Sequence, residues 1–155
     1  MKRYLVMVMA TLLLVACTEE QSTASDNGRT TTIEIPARDL SDPRIKVGRQ
    51  LYLKNCTVCH GINAEGAPDW RQRDKDGKFP APPLNGTGHA WHHPKQALIY
   101  TIKNGTQALG GNMPAWKDRL TDEEIESIIL WFQSKWPEEL YQAWVRQDKA
   151  SQQAK

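Results

Sequence analysis

The protein is a 155-residue chain with 20 Lys and Arg against 18 Asp and Glu, three cysteines and 39% hydrophobic residues. Such a length buries one modest core rather than several. A net charge of +2 offers no basic face for nucleic acid, and no internal repeat is visible.

The chain opens MKRYLVMVMATLLLVAC, with Lys2 and Arg3 ahead of an apolar run from Tyr4 to Ala16 that ends at Cys17. A charged start and a short apolar run form a secretory signal, too short for a helix that spans a bilayer. Leu14-Val15-Ala16-Cys17 resembles the lipobox of bacterial lipoproteins. The resemblance implies a signal peptide over residues 1–16, cleavage before Cys17 and acylation of that cysteine, which anchors the chain in a membrane. The alternative is an ordinary signal cut near Ala16, but an exported protein rarely keeps an unpaired exposed thiol. Removing the signal also removes Lys2, Arg3, Met1, Met7 and Met9, which leaves a formally neutral chain whose single methionine is Met113. Residues 17–41 are rich in Ser, Thr, Glu and Asp and read as a flexible tether with a reach of about 25–30 Å. A short strand around Ile33-Glu34-Ile35 is the competing expectation. Thr18, where the enterobacterial sorting rule would want Asp for the inner membrane, favours the outer membrane, with the domain facing the periplasm.

A folded domain is expected over residues 42–155. Asp42-Pro43 supplies an N-cap and a proline at the first helical position, and Ile45, Gly48, Leu51 and Tyr52 recur at helical steps that run directly into Cys56-Thr57-Val58-Cys59-His60. A second helix is expected from Pro94, with Leu98, Ile99 and Ile102 on one face and Gly105 as its stop. The third starts at Thr121, where Thr121 and Glu124 form a capping box and Ile125, Ile128, Ile129, Phe132 and Trp136 form the buried stripe. Pro137 restarts the chain, and Leu140, Tyr141, Trp144 and Val145 make a fourth stripe. No segment alternates as a strand. The fold class is all-α.

Cys56 and Cys59 with His60 admit three chemistries. A zinc site could add His89 and His93, but the gap is roughly twice that of a zinc finger. A redox dithiol would want a βαβ pattern, and none is present. Cys-x-x-Cys-His is also the attachment signature of c-type haem. One helical turn carries two sulfurs to two carbons on one porphyrin edge, and the adjacent histidine reaches the iron. Export agrees with this reading, because c-type haem is attached outside the cytoplasm.

The chain resembles the monohaem class I cytochromes c over about Pro43 to Trp136. The motif-bearing helix is followed by Ala81-Pro82-Pro83-Leu84-Asn85-Gly86, then by Gly110-Gly111-Asn112-Met113-Pro114-Ala115-Trp116 and the Thr121 helix, in the family's order. The resemblance implies a cytochrome c fold with the haem wrapped by three to four helices, and first and last helices that cross at Gly48. A further C-terminal helix from about residue 137 is an addition to it. It implies one haem c bound through Cys56 and Cys59, with His60 and Met113 as axial ligands. The Pro82 carbonyl, or Pro83 displaced by one, would orient His60, and Trp91 or one of His89, His92 and His93 would contact a propionate. A copper site from those three histidines is a lesser alternative. An iron closed on both sides transfers electrons and does no catalysis, so the expected partners are redox proteins. The other readings are an open-site haem enzyme and a haem sensor or accessory of oxidase or copper-site assembly. Two stretches depart from the pattern: the polar APDWRQRDKDGKFPA, read as a solvated excursion, and the helix from Pro137.

Overall fold

A computed structural model describes residue 35 and residues 37–154. The signal, Cys17 and most of the tether lie outside the described residues. The helices are α1 (Pro43–Asn55), α2 (Thr57–His60), α3 (Lys95–Asn104), α4 (Asp122–Gln133) and α5 (Glu138–Gln153). Two 3₁₀ turns, Ala90–His92 and Gln107–Leu109, complete the regular structure. The described residues hold no strand beyond one isolated bridge between Phe79 and Gly111, so the all-α expectation holds.

Local chemistry sets most helix ends. The Asp42 side chain accepts from the Arg44 amide, and Pro43 occupies the first turn, where a missing N–H costs nothing. Thr121 and Glu124 close a reciprocal capping box on α4, and three acidic residues sit at the positive end of its dipole. Gly105 ends α3. Two boundaries differ from expectation. The first helix breaks at Cys56, so the haem-motif residues form a separate short turn. Helix α4 ends at Gln133, and Trp136 is buried from the turn that follows.

Helices α1 and α4 cross at Gly48. A Cβ there would overlap the Ser127 carbonyl and crowd the Ile128 amide, so only glycine lets the two backbones touch. One turn on, Tyr52 packs its ring 4.2 Å from Trp131 and donates its hydroxyl to the Gly61 carbonyl at 2.8 Å. Tyr52, Ile125, Ile128, Ile129 and Phe132 are the largest fully buried side chains. Contacts reach back to Arg38, ahead of the expected start at residue 42. Its guanidinium donates to the carbonyls of Gln133 and Trp136 at the end of α4 and pairs with Glu138 at 2.9 Å. A cation suits the negative end of the helix dipole.

Helix α5 is built into the domain. Trp144, Gln147 and Asp148 share one face, and each bonds the segment that enters α3. Trp144 Nε1 donates to the His93 carbonyl at 2.8 Å, Gln147 Nε2 donates to the His92 carbonyl, and Asp148 Oδ1 accepts from the Lys95 amide at 2.7 Å. Pro94, the residue at the N-cap of α3, has no capping side chain, so Asp148 caps α3 from another helix.

Candidate functional site

The turn from Cys56 to His60 is held by backbone bonds: Cys56 N to Tyr52 O at 2.8 Å and His60 N to Cys56 O at 2.9 Å. It brings Cys56, Cys59 and His60 to a cavity of about 760 Å³ that Met113 also lines. Cofactor pockets of about 300–1,000 Å³ with apolar walls are the common type, and Leu84, Leu98, Ile102 and Trp116 supply those walls here.

His60 is 8% exposed, and its Nδ1 lies 3.0 Å from the Pro82 carbonyl. A carbonyl only accepts, so Nδ1 carries the proton and Nε2 is left with its lone pair. Burial lowers the pKa of His60 and the bond to Pro82 partly opposes the shift. The proline loop is held in turn by Ala64, whose carbonyl accepts from the Leu84 and Asn85 amides at 2.8 and 3.2 Å. Ala64 is fully buried and has a φ of 63°, a conformation unusual for a residue with a side chain. Trp136 Nε1 donates to the Leu84 carbonyl at 2.8 Å and ties that loop to the end of α4.

Met113 is presented by a loop folded on Thr106. The Thr106 amide donates to the Met113 carbonyl at 3.0 Å, the Thr106 hydroxyl accepts from the Met113 amide at 3.2 Å, and the Thr106 carbonyl accepts from the Gly111 amide at 2.9 Å. Gly105, with φ of 71°, lies against the backbone of Met113 and Pro114, where a Cβ would collide. Thr106 carries no motif signal in the sequence.

The two thiols are not joined by a disulfide. Burial, helped by the neighbouring Cys59, pushes the Cys56 thiol up to about 11. A redox dithiol instead has a thiol lowered towards neutrality. Among the described residues no three His, Cys, Asp or Glu side chains are grouped to hold a metal ion.

Two expectations about the surroundings change. The stretch from Asp69 to Pro80 is not wholly solvated, since Trp70, Arg71 and Phe79 line the cavity. Trp91 lies off it: its indole N–H donates to the Gly88 carbonyl at 3.2 Å and its ring stacks on His92 at 3.6 Å. His89 and His93 line the cavity instead. His89 stacks on Trp70 at 5.3 Å and meets His93 edge-on at 5.5 Å. Burial lowers its pKa, and His93, His92 and Arg71 add to the shift. Two thiols and an oriented imidazole at one end, a thioether, apolar walls and a cationic side fit a covalently attached haem.

Fold and site together define a cytochrome c domain. Residues 43–132 match the family described as cytochrome c oxidase, cbb3-type, subunit III, and the chain belongs to that family. It is 35% identical over 88 residues to the cbb3-type cytochrome c oxidase subunit CcoP of Azospirillum sp. (strain B510), which covers 57% of this chain and 27% of that one. It is 28% identical over 89 residues to cytochrome c6 of Bryopsis maxima, which covers 56% of this chain and 86% of that one. The crystal structure of cytochrome CL from Methylophaga aminisulfidivorans superposes over 72% of the chain and 73% of its own length, at 23% identity and a TM-score of 0.45. The chain spans about a quarter of the length of the CcoP relatives that it matches. The domain is of the cytochrome c type, with one site for a covalently bound c-type haem.

Proposed function

We propose that the protein is a membrane-tethered periplasmic electron carrier, with one haem attached through Cys56 and Cys59 and held axially by His60 and Met113. The observation that carries this reading is that all four side chains, three from one turn and Met113 from a loop far along the chain, line one cavity. When bound, the haem supplies a one-electron ferric–ferrous couple, and a thioether ligand favours the ferrous form. Pro82 keeps the lone pair of His60 available on Nε2, the fold on Thr106 presents Met113, and the apolar walls exclude water. A protein ligand on each side of the iron leaves no position for substrate, so the protein is a carrier and not an enzyme.

Cys17 supplies the anchor, acylated after cleavage of residues 1–16, and residues 17–41 tether the domain, at the outer membrane in preference to the inner. Its partners are a donor and an acceptor protein, with no nucleic acid. The family match supports a cbb3-type oxidase, or a protein that serves one, as the acceptor. Optical spectroscopy tests the ligand set. Ferric wild type should show the weak near-infrared absorption of iron–thioether ligation, and the ferrous form should resist carbon monoxide. Met113→Ala should lose the band, admit carbon monoxide and have a lower potential. If a change at His89, His92 or His93 removes the sixth ligand while Met113→Ala does not, the assignment to Met113 is wrong.

A further inference from the structure

Residues 69–80 are longer and more polar than a compact cytochrome needs, and the structure gives them a specific neighbour. The stretch turns around Asp74, whose Oδ1 accepts from the amides of Asp76 and Lys78, each at 2.9 Å. Its return limb then runs beside the residues that precede Met113. The Phe79 amide donates to the Gly110 carbonyl at 3.0 Å, Phe79 and Gly111 form the isolated parallel bridge, and Asn112 Nδ2 donates to Asp74 Oδ2 at 3.2 Å. Arg73 covers the Phe79 ring at 4.2 Å, donates to the Gly77 carbonyl at 2.6 Å and stands against Gly110. Gly110, Gly111 and Asn112 are therefore each attached to the excursion, immediately ahead of Met113.

We propose that residues 69–80 act as a clasp that holds the Met113 loop closed over the cavity, with Asp74 and Asn112 as positioning residues. The proposal rests on the reading of Met113 as the sixth ligand. Two adjacent glycines make the loop cheap to rearrange, and its own anchors are the bonds to Thr106 and one from the Gly110 amide to the Gln107 carbonyl at 3.3 Å. A segment with few contacts opens locally at low free energy, and each added attachment makes opening rarer. The clasp supplies those attachments without touching the iron ligand. It thus sets how often an outside ligand finds the sixth position free, and so keeps the domain a carrier.

The experiment uses the mature holoprotein with imidazole as the probe of the ferric form, at concentrations where loop opening limits the rate. Asn112→Asp leaves the Asp74 turn intact but sets two carboxylates against each other. Its opening-limited rate should rise about tenfold, and that of Asn112→Ala roughly two- to tenfold, as expected for one net hydrogen bond. Asp74→Asn combined with Asn112→Asp restores a donor facing a carboxylate with the roles exchanged. That pair should return the rate to within about threefold of wild type. Such rescue is not expected of residues that merely help folding. Unchanged rates in both single variants, with the near-infrared band of the wild type present, would overturn the clasp alone. A swapped pair no slower than Asn112→Asp would also overturn it, because the loss would then be general loosening. Absence of the band in wild type would remove the Met113 assignment and the clasp with it.

Discussion

Asp148→Ala isolates what the C-terminal helix contributes. The Asp148 carboxylate is 8% exposed and accepts from the Lys95 amide, the first N–H of α3, at 2.7 Å, and its other oxygen accepts from Gln152 at 2.9 Å. Loss of a helix N-cap costs about 0.5–2 kcal/mol, and a partly buried anion at a helix N-terminus contributes up to ~2 kcal/mol. One carboxylate does both here, so the two figures overlap and about 2 kcal/mol is the expected loss. A domain of this size shifts by roughly 3–6 °C per kcal/mol, which puts the melting temperature of Asp148→Ala about 6–12 °C below wild type. Asp148→Asn keeps an acceptor for the Lys95 amide but gives up the charge, so it should lose about half as much. Thermal unfolding of the holoproteins, followed by circular dichroism and by haem absorption with coincident transitions as the two-state check, measures both. If Asp148→Ala melts within about 1 °C of wild type, or no lower than Asp148→Asn, the capping argument is wrong.

Gly48→Ala should destabilise the domain by about 1–3 kcal/mol in urea unfolding. The new methyl overlaps backbone of α4, and such overpacking exceeds the ~1 kcal/mol gained in helix propensity; a variant as stable as wild type would contradict the crossing. The pH dependence follows from Asp74, whose folded pKa is lowered first by the Lys78 amide and then by Asn112. Its contribution is complete above about pH 4 and falls away as acid brings the pH down through the depressed value. Denaturant midpoints that rise from about pH 5 to 3 would go against this. For the anchor, wild type should fractionate with membranes and Cys17→Ser should not; a free, unacylated N-terminus on the mature wild type would reject it.

The sequence alone determined what depends on neighbours within a helical turn or two. The spacing of Cys56, Cys59 and His60, the proline-led start at Asp42, the capping box at Thr121 and the stop at Gly105 each draw on side chains a few residues apart, and each stands where it was expected. Apolar stripes at helical steps likewise marked α3, α4 and α5. The tertiary structure decided the rest. Trp144, Gln147 and Asp148 bind the backbone of residues 92, 93 and 95, and Thr106 and Ala64 hold the two loops that present Met113 and Pro82. The cavity wall took Trp70 and Arg71 and left out Trp91. These outcomes share a physical cause: the partner is in most cases a backbone amide or carbonyl, which every residue carries alike. A tryptophan or aspartate in the sequence shows that a donor or acceptor exists, but its mate is settled only when helices cross and loops close.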